Sequence, residues 1–309
     1  MNKHCFSLEE LVEGPLYQSS DEVSVNDVPD ESVNETDMSE NIIETVDEGA
    51  TVENAVLFVQ HSLEHMNAVL ALGARSNEAD DPSKGAKFKE GMKKIWATIL
   101  EAFRRLGESI QKFFTKVANF IRSGGIGEKI SYVNQNFGKI DFKKVDGTKK
   151  VVNPKAITLC LGVTNFKVAA NFLTSDKVFD GSDPSEIRAQ VVNLTKEQIN
   201  IQEAVNAAKG IVSESNLKLF QTQIGKVLGE AKSSYKTIMK EAKAAENATD
   251  ESKKNNASKA REVLKKISDA SFLGVRGFSW FISAVNYTYG AIKGSESKTE
   301  KDDKKSSKK

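Results

Sequence analysis

The chain has 309 residues, 39% of them hydrophobic, two cysteines and a formal net charge of +1. Cysteines at positions 5 and 160 alone exclude a disulfide framework, and the opening "MNKHCFSLEELVEG" lacks the apolar core of a secretory signal. The small total charge hides two opposite halves: residues 1–78 hold 17 Asp/Glu and two Lys/Arg, leaving 26 and 42 for residues 79–309, or about −15 and about +16.

Residues 14–50 string Ser, Asn, Asp, Glu and Val around Pro15 and Pro29, too little apolar surface to offset the entropy of ordering. This stretch reads as disordered, within an acidic, propeptide-like segment 1–78. A short amphipathic helix is expected near 52–74, with Ala55, Leu57, Phe58, Leu63, Met66, Val69 and Leu70 on its apolar side. "DDPSKG" then marks a turn.

The strongest periodicity follows. Phe88, Met92, Ile95, Ile99, Phe103, Leu106, Ile110, Phe113, Val117 and Ile121 step by four and three, a coiled-coil-like seam of about 35 residues ended by "SGG". Its other face carries Lys87, Lys89, Lys93, Lys94, Arg104, Arg105, Lys112, Lys116 and Arg122 against Glu90, Glu101 and Glu108. Such a helix packs on other helices, lies on an anionic surface, or does both.

Residues 126–182 read as short helices, one starting at Asn153 and Pro154, although the alternation in "AITLCLGV" also suits a strand. From Pro184 three further helical stretches follow, with Leu217, Phe220, Ile224, Leu228 and Tyr235 as one apolar face and "ENATDESKKNNAS" as a polar break. "FLGVRGFSWFISAVNYTYGAI", residues 272–292, is long enough to span a bilayer but holds Arg276 and Asn286, so it reads as a buried or interfacial helix. The last fifteen residues, 295–309, form a Lys-rich low-complexity tail. The expected fold is mainly α: an elongated helical bundle, residues 79–294, between a disordered acidic N-terminal head and a disordered Lys-rich C-terminal tail.

Catalytic patterns are sparse. "HSLEH" gives His61, Glu64 and His65 the spacing of one class of zinc peptidase, yet a third ligand is needed and no histidine lies downstream. "SGGIGEK" lacks the spacing of a phosphate loop, and no Ser elbow or Cys–His pair stands out. No enzymatic role, cofactor or metal is expected. The aromatics Trp96, Phe113, Phe114 and Trp280 fall on apolar faces and read as core. Electrostatics remains: Lys87, Lys89, Lys93, Lys94, Arg104, Arg105, Lys112 and Lys116 are candidate polyanion contacts.

The head "FSLEELVEG", the long acidic run, the helix "NAVLFVQHSLEHMNAVLALG" and the basic "EGMKKIWATILEAFRRLGESIQKFFTKV" together resemble the internal head (prohead core) proteins of giant tailed bacteriophages, best over residues 1–122. The resemblance implies a non-enzymatic virion protein in the capsid interior, present in the host cytoplasm during assembly. Its implied partners are capsid or scaffold proteins, a prohead protease that removes an acidic propeptide, and packaged DNA. It also implies cleavage after Glu in short motifs. "SNE" before Ala79 sits at the charge boundary, so Ser76, Glu78 and Ala79 form the candidate cleavage site; "SLE" at 62–64, "LVE" before Gly14, "IQE" before Ala204 and "LGE" before Ala231 match less well placed. The alternative expectation is a membrane-active or membrane-surface protein using residues 86–122 and 272–292.

Overall fold

The computed structural model describes residues 49–68, 82–145, 147–244 and 250–306, with the side chains of 82–88, 164, 250–251 and 297–306 outside that description. The expected disordered stretch 14–50 therefore lies almost wholly outside the described residues, as do Ser76, Glu78 and Ala79.

The architecture is the mainly α bundle that the apolar periodicity implies. Helix α1 covers 49–68. Helices α2 (Pro82–Arg122), α3 (Gly125–Asn136), α4 (Lys155–Leu161), α5 (Pro184–Lys196), α6 (Ile201–Ala207), α7 (Glu214–Ala244) and α8 (Asp250–Ser306) follow. Two short antiparallel ribbons interrupt them: β1 (Lys150–Val152) pairs with β4 (Gln198–Asn200), Val151 opposite Ile199, and β2 (Lys167–Val168) pairs with β3 (Phe179–Asp180). The segment "AITLCL" is helical in α4, resolving the helix-or-strand ambiguity in favour of the Pro154 start.

Helix α8 is the spine. Its 57 residues run about 85 Å at 1.5 Å per residue. Helices α2, α3, α4, α5, α6 and α7 all pack on it. Being surrounded, it is apolar on most sides over its middle, with Val263, Leu264, Ile267, Leu273, Phe278, Phe281 and Val285 fully buried. The stretch 272–292 is thus a bundle core helix, and no described helix is long and apolar enough to cross a membrane. Small residues let neighbours close in: a Cβ on Gly277 would lie 2.5 Å from the Cys160 Cβ and 2.6 Å from the Phe220 ring. Phe220 in turn meets Phe278 and Phe281 at centroid separations of 6.3 and 5.7 Å.

The long α2 seam forms as expected. Met92, Ile95, Ile99, Phe103, Leu106, Ile110, Phe113 and Val117 are buried, chiefly against α7 and α8. The helix stops where "SGG" supplies Gly124 at φ 79°, a left-handed position that costs glycine little. The α7 face, Leu217 to Tyr235, is buried likewise, as are Trp96 and Phe113, while Phe114 and Trp280 pack partly buried on the same core.

Three expectations are corrected. The α1 apolar face is built on Val52, Ala55, Val56, Val59 and Met66, with the expected Phe58 and Leu63 packed partly buried beside them, whereas Leu57 is half exposed; Val69 and Leu70 lie outside the described residues. Most of the polar break "ENATDESKKNNAS" belongs to α8, which starts at Asp250, because Asn256, Ala257 and Ala260 already contact the bundle. The C-terminal tail drawn at 295 begins too early: α8 continues to Ser306, the Ser295 hydroxyl accepts from the Asp141 backbone N–H, and Glu296 accepts from the Tyr132 hydroxyl.

Candidate functional site

Helix α1 belongs to the acidic half of the sequence, yet it is seated on the basic half. Val52, Val56, Val59 and Met66 are at most 1% exposed. Beside each of three buried residues stands a hydrogen-bond acceptor, Glu53 after Val52, Gln60 after Val59 and Asn67 after Met66, so an apolar–acceptor pair recurs every seven residues. Seven residues are close to two turns, which puts the three acceptors in one row along the helix.

Each acceptor meets an arginine of the body. Glu53 forms a fork with Arg276, Oε1 to Nε at 2.6 Å and Oε2 to Nη2 at 2.7 Å. Gln60, with its amide oxygen turned to the donors, accepts from Nη1 and Nη2 of Arg188 at 2.9 and 2.8 Å. Asn67 accepts from Nη2 of Arg261. A fourth contact is aromatic: the Arg105 guanidinium lies 4.4 Å from the Phe58 ring centre. Residues 79–309 contain six arginines, so α1 engages four of them. Because Glu53 meets Arg276 and Asn67 meets Arg261, α1 runs antiparallel to α8, the separations covering about 21 Å on α1 and about 23 Å on α8.

Behind this row Arg188 is held by the body itself. Asp269, 4% exposed, accepts from Arg188 Nη1 at 2.5 Å, from Lys265 Nζ at 2.9 Å and from the Ser185 hydroxyl at 2.6 Å. Arg188 stacks 4.3 Å over Phe272. One helical turn away, Asp183 caps α5 by accepting from the Ser185 backbone N–H at 2.8 Å and receives Lys266 Nζ on both oxygens at 2.6 Å. Burial pushes the Asp183 carboxyl up, but the bonds from Lys266 and the Ser185 backbone outweigh it and leave it below its ordinary 3.8. Glu53 balances the other way: burial raises its carboxyl above 4.5, and Arg276 offsets only part of that rise.

Alongside the C-terminal half of α1 the described residues leave the seat unfilled. A groove of about 900 Å³ opens between α1, α5 and α8, its charged lining made by Arg188, Arg261 and Lys265 together with Glu64, Glu262 and Asp269. Arg261 is half-buried, its Nε has no hydrogen-bond partner among the described residues, and burial lowers its pKa. The guanidinium thus faces an amide where a carboxylate would suit it better.

The sequence-derived candidates separate. On α2, Lys89, Lys93 and Lys112 face solvent. Lys94 pairs with Glu90 at 2.7 Å. Arg104 and Arg105 do not offer open charge: Arg104 bonds Glu101 at 2.9 Å and Glu108 at 2.7 Å, and Arg105 bonds Glu101 at 2.5 Å besides stacking on Phe58. Lys116 is half-buried, and the side chain of Lys87 is outside the described residues. His61, Glu64 and His65 of "HSLEH" sit on the exposed side of α1, with His61 Nδ1 3.7 Å from Glu64. Among the described residues no three metal-ligating side chains converge. Cys160 is a buried free thiol that burial pushes up to about 12. Of the other cleavage-motif glutamates, Glu64 is exposed on α1, Glu203 binds Asn200 at the start of α6, and Glu230 accepts from the Val168 backbone N–H.

The arginine row escaped the sequence reading because partners such as Glu53 and Arg276 stand 223 residues apart. The seven-residue recurrence of Val-Glu, Val-Gln and Met-Asn was the available signal. No family model, curated protein or solved structure matches this chain.

Proposed function

We propose that the protein is a non-enzymatic virion structural protein, an internal head component of a tailed bacteriophage, with an acidic N-terminal segment removed during capsid maturation and a basic helical body that accompanies packaged DNA. The observation that carries this reading is the partition of charge, about −15 over residues 1–78 and about +16 over residues 79–309. A removable anion in front of a polycation keeps the body from binding polyanions early, and its loss raises the net charge from +1 to about +16. In this reading the prohead protease reads Ser76 and Glu78 and cuts before Ala79, within residues 69–81 that separate α1 from α2. Capsid or scaffold proteins are the assembly partners, and the site of action is the capsid interior. DNA is met without sequence preference by exposed lysines such as Lys89, Lys93 and Lys112, while Arg104 and Arg105 leave the contact set because their charge is spent on Glu101 and Glu108.

The membrane-surface alternative has less to rest on, since α2 and residues 272–292 would each have to turn a buried face outward. The test is the intact mass and N-terminal peptide of the protein recovered from native particles. A chain starting at Ala79 supports the reading, and a full-length chain in mature particles overturns it. Liposome binding that persists at high salt, without salt-sensitive DNA binding, would favour the membrane alternative.

A further inference from the structure

The α1 seat is a groove covered by an amphipathic helix that, among the described residues, fills one end of it incompletely. Three observations meet there. The apolar stripe Val52, Val56, Val59 and Met66 is buried as completely as the bundle core, so the floor is made for an amphipathic helix. The rim is cationic, with arginines from α2, α5 and α8 each turned to α1. Yet among the described residues about 900 Å³ of groove stays unfilled along the C-terminal half of α1, which offers Arg261 an amide while the Nε of that half-buried guanidinium has no partner among them.

We propose that the groove beneath α1 is a docking site for an amphipathic helix of a partner protein, one that repeats an apolar–acceptor pair every seven residues and carries a carboxylate opposite Arg261, and that α1 occupies the site in cis until it is displaced. Charge complementarity selects the partner. Arg188 already has Asp269, and Arg276 already has Glu53, so the position facing Arg261 is where a foreign helix gains over α1. Covalent attachment compensates α1 for its weaker fit: a 13-residue connection, 69–81, holds it near the groove at an effective concentration on the order of millimolar. A partner supplied at lower concentration enters only when it binds better or when that connection is cut. The inference concerns a protein partner and stands whether or not the body binds DNA.

The probe is a fluorescein-labelled peptide of residues 49–68, read by anisotropy against the full chain carrying an inserted, specific protease site between residues 70 and 78. Before cutting, binding is expected to be at least about tenfold weaker than after cutting, because the tethered α1 competes. After cutting, the Asn67→Asp peptide is expected to bind several-fold more tightly than the parent, and the Glu53→Lys peptide at least about tenfold more weakly. Tryptophan fluorescence and circular dichroism follow the fold throughout. The proposal is overturned if cut and uncut chains bind the peptide alike, if neither binds it, if the Asn67→Asp and Glu53→Lys peptides are indistinguishable, or if the body unfolds once the excised head fragment is separated from it.

Discussion

The seat of α1 and the centre of the bundle bury their apolar side chains equally well, and they differ in everything around those side chains. At the centre, α4, α7 and α8 meet at Gly277 with no room for a methyl group, and the neighbours are Cys160 and Phe220. At the α1 seat, the apolar stripe is bordered by polar contacts from side chains that still touch water; Arg276 keeps 42% of its side-chain exposure and Glu53 25%. An apolar contact without a polar border is exchanged for nothing when it opens. A border of arginines can be satisfied by α1, by water or by another helix bearing acceptors. The centre is therefore closed by apolar packing, whereas the α1 seat, a clasp closed by apolar packing and a polar border, is the proposed place of a separable occupant.

That contrast can be broken first at its strongest point. Gly277→Leu should destabilise the whole chain by several kcal/mol, on the order of 3 or more, because the new side chain has backbone-proximal neighbours and no outlet. Gly290→Leu, on the same helix with nothing within 4 Å, should leave the melting temperature nearly unchanged or raise it. Equal effects at both glycines would remove the distinction between centre and surface of α8.

A charge at Val59 tests the other side. Val59→Asp buries a carboxylate beneath α1 at a cost on the order of 3 kcal/mol or more, and the expected response is local: α1 detaches while α7 and α8 keep their far-ultraviolet signal and their cooperative melt. Loss of the global transition in this variant would show that α1 is integral to the core. Gly124→Ala is a smaller probe between the two regions, expected to cost about 1 kcal/mol since its φ of 79° is unfavourable to a Cβ although the space around it is open.

Acid separates the two kinds of ion pair by sign. Asp183 has a folded pKa below its ordinary 3.8, so its stabilisation is present above that value and is lost as pH falls through the folded one. Glu53 has a folded pKa raised above 4.5, so its contribution favours the docked state below 4.5 and is lost as pH rises through the folded value. Mild acidification should therefore hold or tighten the Glu53 end of the clasp, with the α5–α8 bridge loosening only at lower pH. Side-chain carboxyl titration by NMR gives the order directly, and Glu53 titrating below Asp183 would reverse the account.

How much of this was legible in the sequence depends on the range of the interaction. The α2 seam was plain because ten apolar residues repeat within one helix, and its end was plain because glycine adopts the left-handed Gly124 conformation at the least cost. The α1 face was legible only in part: Phe58, Leu63 and Met66 pack inward, but Leu57 outweighs the valines in hydrophobicity and not in register. The start of α8 inside "DESKKNNAS" and its continuation past residue 294 were missed because polar residues join a helix once Asn256 reaches Glu241 and Glu296 reaches Tyr132. Arg276 looked like an interruption in an apolar run, and only folding brings Glu53 to it.

Native-state hydrogen exchange of the intact chain bears most directly on the claim that α1 is a separable occupant. The account predicts that amides of residues 52–66 exchange through a local opening at least about tenfold faster than those of 263–285, with the core protection untouched by that opening. Equal protection in the two segments, lost together only in global unfolding, would contradict it.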